Sequence, residues 1–234
     1  MMMVGPKNFI KVGQEFRGYF VEMAGLQPDH KVLDIGCGAG RMAIPLTEYL
    51  SDQGGYWGFD NRPDVIEWCQ DHISAKHKNF HFVHGDVYHE RYNPDGKLQA
   101  QEFKFPFDDG SFDLIFLISV FTHMLPSDTE SYTREISRVL KPGGKCFITY
   151  FLITDDPKSL NRSSVSNLDF IHQGKNYRTP NKSNPESAVG YDAKYIEHIY
   201  QANNLKIDKF IKYGDWSGRD DYLGSQDIVI AKKK

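Results

Sequence analysis

Short apolar runs alternate with amphipathic segments along the first 150 residues. Runs rich in β-branched and aromatic residues occur at 32–35, 56–59, 80–83, 114–119 and 145–151. The stretches between them carry apolar residues at helical spacing, as in Val65, Ile66, Cys69 and Ile73. This alternation predicts parallel strands joined by helical crossovers, and hence an α/β fold. Two later runs, 207–212 and 228–231, flank a Gly- and Asp-rich loop and predict a hairpin that adds an antiparallel strand.

Local signals mark several helix boundaries. Ser127 followed by Glu130 is a capping-box pattern that predicts a helix start, and Pro142-Gly143-Gly144 predicts the end of that helix. We expect one domain over residues 1–234, with an N-terminal helical cap at about 7–25. Phe9, Phe16 and Phe20 share helical spacing there and either pack in the core or roof a ligand.

Two polar segments exceed what a minimal α/β unit needs. They are residues 88–104 and 154–190. Long loops in compact domains commonly carry function. We therefore expect the segment at about 154–190 to cover an acceptor site.

The strongest motif lies at residues 32–41, where a strand runs into Gly36, Gly38 and Gly40. Glycine permits positive φ and lets a backbone approach a ligand closely, and ligands of open α/β sheets bind at the carboxyl ends of strands. Dinucleotide sites have the spacing GxGxxG, whereas this chain has GxGxG followed by Arg41. The preceding Asp34 suits a cationic ligand better than a diphosphate, so NAD is the weaker interpretation.

With these motifs in order from residue 32 to 151, the chain resembles the class I S-adenosylmethionine (SAM)-dependent methyltransferases, particularly the ubiquinone-biosynthesis-like group. The first motif is the glycine turn, Asp60 ends Gly-Phe-Asp, and Asp86 lies in Gly-Asp-Val. Residues 105–113 resemble the family's approach to strand four, and 140–144 its turn before strand five. The resemblance implies a doubly wound, Rossmann-like sheet of seven mostly parallel strands with a C-terminal antiparallel hairpin strand.

The resemblance also implies SAM as cofactor, S-adenosylhomocysteine as product, and a set of cofactor contacts. By this resemblance, Asp60 accepts hydrogen bonds from both ribose hydroxyls, and Asp86 accepts one from the adenine amino group. Arg41 either meets the methionine carboxylate or is a solvated helix-start residue, and Cys37 is expected behind the turn rather than as a nucleophile. The cofactor-binding residues implied are Asp34, Gly36, Cys37, Gly38, Gly40, Arg41, Asp60, Asn61, Asp86, Val87 and Ser119.

Acceptor-facing residues in this family follow strand four, where His123 is the best candidate for a general base. The alternative is that His123 only orders its loop or borders the cofactor. Trp216 and Arg219 lie in the expected hairpin loop, where Trp216 lines an acceptor pocket or caps the core edge. The predicted substrate-binding residues are His123, Tyr150, Trp216 and Arg219.

Missing patterns narrow the acceptor. No Asn-Pro-Pro-Tyr-like run or paired-cysteine motif points to nucleic-acid chemistry, and no acid/asparagine set suggests a metal. The remaining hypothesis is O-methylation of a small polar or sugar-containing metabolite. Methylation of a protein or RNA, and a SAM-binding regulator without catalysis, remain open alternatives.

Composition agrees with a small-molecule partner. The chain has 28 basic and 31 acidic residues, a formal charge of −3, whereas nucleic-acid binding usually needs a basic excess. Its three cysteines are scattered, and no signal pattern or membrane-length apolar run is present. We therefore expect a reducing, cytoplasmic compartment without a membrane span.

Overall fold

Eleven strands and five α-helices occur in the part of the chain that the computed structural model describes, residues 6–155, 168–208 and 211–234. The strands are β1 (Lys31–Ile35), β2 (Gly55–Asp60), β3 (Phe80–His84), β4 (Phe112–Leu117), β5 (Leu140–Tyr150), β6 (Leu152–Ile153), β7 (His172–Gln173), β8 (Tyr177–Thr179), β9 (Gly190–Asp192), β10 (Leu205–Ile207) and β11 (Asp227–Lys233). The helices are α1 (Pro6–Glu22), α2 (Ala43–Leu46), α3 (Pro63–Cys69), α4 (Pro126–Val139) and α5 (Ala193–Ala202).

The main sheet has seven strands in the order β10-β11-β5-β4-β1-β2-β3. β1 pairs in parallel with β2 and β4, and β2 pairs in parallel with β3. β11 runs antiparallel to both β5 and β10. The predicted α/β fold is therefore confirmed. The order reverses between β1 and β4, which is where open α/β sheets bind ligands, at the carboxyl ends of the strands.

The chain divides into two compact units. The first comprises residues 1–116 and 139–144. Its core includes Phe20 of α1, which is fully buried and stacks on Phe116 with ring centroids 4.2 Å apart. Phe20 therefore packs in the core rather than roofing a ligand. Aromatic stacking of this kind adds about 0.5–1.5 kcal/mol beyond burial itself.

The second unit comprises residues 117–138 and 145–234. It contains α4, α5 and a four-stranded sheet in the order β6-β9-β8-β7. One of its cores is a cluster of Phe151, Phe170, Ala188 and Trp216. The prediction of a single domain over the whole chain stays a prediction.

Two local expectations need correction. The capping box at Ser127 is wrong, because α4 begins at Pro126 and the Asp128 carboxylate accepts from the Leu125 N–H at 3.4 Å. The segment expected to cover an acceptor site contains short strands within residues 168–190, residues 156–167 lie outside the described part, and the covering role stays a prediction. Of the strand expected at 207–212, the structure shows only β10, and residues 209–210 lie outside the described part.

None of the helices in the described ranges is long and apolar enough to cross a membrane.

Candidate active site

The glycine turn joins β1 to the segment before α2. Its three glycines all have positive φ, +77° at Gly36, +52° at Gly38 and +76° at Gly40. A Cβ added to Gly38 would have no neighbour within 4 Å, whereas one on Gly40 would lie 2.5 Å from the Ile73 side chain. Gly38 therefore faces open space that a ligand can enter, and Gly40 is required for packing against the turn that follows α3.

Asp60, the last residue of β2, braces this turn. Its Oδ2 accepts the Gly38 N–H at 2.8 Å, and its Oδ1 accepts the Arg62 N–H at 3.0 Å. Burial raises the pKa of Asp60, and these two N–H donors oppose that rise. Each carboxylate oxygen can accept more than one hydrogen bond, so Asp60 retains capacity for two further donors such as the hydroxyls of a ribose.

Asp34 lies behind the turn and is 2% exposed. It accepts a hydrogen bond from the Tyr56 hydroxyl at 2.5 Å. Burial raises the pKa of Asp34 to about 7, with the Asp60 charge adding to the rise and Tyr56 and Arg41 opposing it. A cation near Asp34 would favour its ionised form.

Arg41 and Cys37 flank the turn on its protein side. Arg41 is half-buried, and burial lowers its pKa while the Asp34 charge opposes that shift. A Cβ at Gly13 would lie 2.4 Å from the Arg41 carbonyl oxygen, so α1 packs directly on the backbone after the turn. Cys37 is 5% exposed, and a Cβ on Gly58 would lie 2.9 Å from its Cβ. Cys37 therefore packs behind the turn.

The ends of β2 and β3 are joined by polar contacts. The Asn61 side chain donates to the Val87 carbonyl oxygen at 3.4 Å, and the Gly85 N–H donates to the Asp60 carbonyl at 2.9 Å. The side chain of Asp86 is 35% exposed and lies 3.8 Å from the Lys97 ammonium. The first unit thus brings together every predicted cofactor residue except Ser119.

Segment 88–104 folds back over Val87 rather than extending away. The Tyr88 N–H donates to the Leu98 carbonyl at 2.8 Å, and the Leu98 N–H donates to the Asp86 carbonyl at 3.0 Å. A Cβ on Gly96 would lie 2.5 Å from the Tyr88 nitrogen. Glycine at position 96 therefore permits this close approach beside Asp86.

In the second unit, His123 lies in a 3₁₀ turn, Phe121–His123. Its Nδ1 lies 2.9 Å from the Glu186 carbonyl oxygen. Because a carbonyl can only accept, Nδ1 carries the proton, and in the neutral ring Nε2 holds the lone pair. This is the tautomer that a general base acting through Nε2 requires.

The other predicted acceptor residues are buried in packing contacts of the second unit. Tyr150 is 0% exposed, and its hydroxyl lies 3.0 Å from that of Tyr200. Trp216 packs edge-on against Phe151 at 5.2 Å. Contact of Tyr150 or Trp216 with an acceptor stays a prediction, and the role visible in the structure is packing.

Asp227 is the centre of the contacts around Trp216. It is 0% exposed and accepts from Trp216 Nε1 at 2.9 Å and from the N–H groups of Leu152 at 2.6 Å and Gly214 at 2.8 Å. Arg219 lies 3.8 Å from it and over the Tyr213 ring, 4.1 Å from the centroid. Burial raises the pKa of Asp227 to about 6, and these donors and Arg219 oppose the rise.

Comparison with known proteins finds relatives for the part of the chain that contains the glycine turn. Residues 32–144 match the family model described as a methyltransferase domain. Residues 32–144 are therefore similar to the methyltransferase domains of the class I SAM-dependent family. The YcgJ protein of Bacillus subtilis has the same fold, with a TM-score of 0.59 at 19% identity over 96% of this chain and 99% of that one.

Two curated relatives act on very different acceptors. The methyltransferase domain is similar to a sterol 24-C-methyltransferase of Schizosaccharomyces pombe, at 31% identity over 59% of this chain and 32% of the relative. It is also similar to a tRNA N(3)-cytidine methyltransferase of Gallus gallus, at 26% identity over 56% of this chain and 33% of the relative. The match spans about a third of the length of each relative, and the two names differ in acceptor, so the acceptor of this chain is not determined.

Sequence reasoning missed the partners of Ser119. Ser119 has φ of +60°, donates its N–H to Thr149 Oγ1 at 2.8 Å and its hydroxyl to Gln226 Oε1 at 3.0 Å. A non-glycine residue with positive φ is often held so for function. No motif marks Thr149 or Gln226, because three distant segments meet only in the fold.

Thr122 is a second residue without a sequence signal. It is 0% exposed, and no residue in the described ranges hydrogen-bonds its hydroxyl. Its carbonyl accepts the Val189 N–H at 2.8 Å. Buried hydroxyls are normally paired, so Thr122 is an exception among the described residues.

Proposed function

We propose that this chain is an active methyltransferase that transfers the methyl group of SAM to a hydroxyl oxygen of a small polar acceptor. The single observation that carries the cofactor part is the bond from the Gly38 N–H to Asp60, which fixes a carboxylate beside the open side of the glycine turn. The residues fit SAM: Gly38 leaves room, Asp60 can accept two hydroxyls, and Asp34 responds to a cation.

SAM supplies an activated methyl group on a sulfonium, so the protein's own contribution is binding, orientation and proton removal. The glycine turn and Asp60 hold the nucleoside and methionine parts, with Asp86 and Val87 at the adenine. His123 accepts the acceptor's hydroxyl proton at Nε2, in the tautomer fixed by the Glu186 carbonyl.

A small molecule is the favoured acceptor class. The formal charge of −3 gives no excess of positive charge for a nucleic acid. One relative is named for tRNA modification, so RNA methylation is the alternative. Three buried free cysteine thiols support the cytoplasm as the proposed compartment.

The test begins with calorimetric titration of SAM, S-adenosylhomocysteine and NAD into wild-type protein and Asp60→Ala. We expect SAM to bind and Asp60→Ala to weaken binding by about 10- to 100-fold, since a hydrogen bond to a charged group contributes about 1.5–3 kcal/mol. Asp52→Ala, at an exposed acid, is the matched control and should bind like the wild type. NAD binding without SAM binding would overturn the assignment.

Screening for the acceptor then follows S-adenosylhomocysteine release over a panel of small hydroxylated metabolites, phenols, sugars and bulk tRNA. Turnover with a hydroxylated small molecule supports the proposal. Turnover with tRNA alone rejects it in favour of RNA methylation. SAM binding without turnover on any member favours a SAM-binding regulator.

A further inference from the structure

A cavity in the first unit is lined by residues outside the glycine turn. Its volume is about 510 Å³, within the range of small-molecule sites, about 300–1,000 Å³. Trp57 of β2 lines it. In the same strand, Trp57 is the third residue and Asp60 is the sixth. Successive side chains of a strand point to opposite faces, so this cavity opens on the other face of β2 from the Asp60 carboxylate.

The walls of the cavity are aromatic and held together by edge-to-face contacts. Trp57 meets Phe112 at 5.7 Å with an interplanar angle of 68°, and Phe112 meets Phe107 at 5.1 Å and 89°. Phe105, which is 1% exposed, closes the wall. Rings fixed in this way offer a flat apolar surface to another aromatic ring at little cost in side-chain entropy.

Two lysines, Lys31 and Lys104, line the same cavity. The Lys31 ammonium lies over the Trp57 ring, 5.9 Å from its centroid. No residue in the described ranges forms an ion pair with either lysine. The nearby acid Asp113 is already paired with Lys141 at 2.7 Å. Only one carboxylate, Asp108, lines the cavity, so its charged side chains leave a net positive charge.

We propose that this cavity, bounded by Trp57, Phe105, Phe107, Phe112, Lys31 and Lys104, binds a planar aromatic anion at a site separate from the cofactor. The aromatic walls stack on the ring, and the two ammonium groups pair with the negative group at the mouth. Neither feature belongs to the glycine turn or to the acceptor candidates, so the proposal does not depend on the reaction that this chain catalyses.

The test uses 8-anilinonaphthalene-1-sulfonate and its uncharged analogue N-phenyl-1-naphthylamine in fluorescence titrations of the full chain. We expect one saturable site that binds the sulfonate at least 5-fold more tightly than the neutral analogue. The double variant Lys31→Gln/Lys104→Gln should remove that preference, while Lys76→Gln/Lys78→Gln, two exposed lysines elsewhere, should keep it. Saturating SAM should leave the affinity unchanged.

Trp57→Leu tests the aromatic wall, with circular dichroism used to confirm that the variant folds. It should weaken both probes, whereas Trp68→Leu, at the exposed Trp68, should weaken neither. Non-saturable binding, equal affinity for the two probes, indifference to the Lys31/Lys104 variant, or displacement by SAM would each overturn the proposal. Loss of SAM binding in the separate Asp60→Ala experiment would leave this site unaffected.

Discussion

The carboxylate of Asp60 and the backbone N–H of Gly38 form a hydrogen bond of 2.8 Å between the end of β2 and the middle of the glycine turn. Residues 22 positions apart are thereby fixed together before any ligand arrives. An oriented acceptor beside an open glycine lowers the ordering cost of binding.

Gly38→Ala and Gly40→Ala should separate binding from folding. Both place a side chain at positive φ, which costs about 1–2 kcal/mol. The Gly38 Cβ enters open space, so Gly38→Ala should lose SAM affinity with only that stability cost. A Cβ at position 40 would lie 2.5 Å from the Ile73 side chain, so Gly40→Ala should unfold at a distinctly lower denaturant concentration. Chemical denaturation and calorimetry on both variants measure the difference. Equal loss of stability in the two would contradict it.

Asp34 should make stability depend on pH. Its pKa is raised from 3.8 to about 7 in the folded state, so the folded protein holds a proton that the unfolded chain releases. The free energy of unfolding should fall as pH rises from about 4 to 7, by about 1.4 kcal/mol per unit of pKa difference. Asp34→Asn should flatten that slope in urea titrations across this range. An unchanged slope would exclude Asp34 as its source.

SAM should oppose this effect, because a bound cation favours ionised Asp34. SAM affinity of the wild type should therefore rise with pH through about 7, and the rise should be smaller in Asp34→Asn. Calorimetry at several pH values in buffers of different ionisation enthalpy would detect the accompanying proton release. Affinity independent of pH in the wild type would argue against a contact between Asp34 and the cation.

His123→Ala should lower kcat by about 10²- to 10⁴-fold, the usual contribution of a general base, and leave the Kd for SAM unchanged. The acid limb of the wild-type pH–rate profile should disappear in the variant. His198→Ala, at an exposed histidine of the second unit, serves as the control. If His123 only orders its loop, His123→Ala should lower thermal stability and leave the pH profile in place.

Trp216→Phe keeps an aromatic ring against Phe151 but removes the Nε1 donor to Asp227. The free energy of unfolding should fall by about 1–3 kcal/mol, because the buried Asp227 carboxylate loses one hydrogen-bond donor. Trp216→Ala should lose about 3–5 kcal/mol. Thermal unfolding of both variants tests whether Trp216→Ala is less stable than Trp216→Phe. A rise in acceptor KM at unchanged stability would instead favour the acceptor-binding role.

The sequence predicted the parts of the fold that depend on local pattern. The β1 strand, the glycine turn and Asp60 follow one another within short range, so periodicity and glycine spacing were enough. The small sheet formed by β6 to β9 was not predicted, because its strands of two or three residues carry no periodicity. The start of α4 was misplaced because Pro126, favoured in a first helical turn, outweighed the capping box.

Hydrogen bonds between buried polar groups were the other feature that the sequence did not predict. Asp227 follows a loop and begins a strand, and nothing near it marks it as the acceptor of three hydrogen bonds from Leu152, Gly214 and Trp216. The contacts of Ser119 with Thr149 and Gln226 span up to 107 positions. Such pairs form only through tertiary packing, so the pattern of residues along one sequence does not predict them.

All predicted cofactor residues except Ser119 lie in the first unit, and all the predicted acceptor residues lie in the second. Under the proposed site assignment, mutations that alter acceptor choice can accumulate in one half of the chain while the other half keeps its cofactor. During evolution, a change of acceptor then requires no change in the residues that bind the nucleoside. Two curated relatives that match 140 and 133 residues of this chain are named for a sterol and a tRNA.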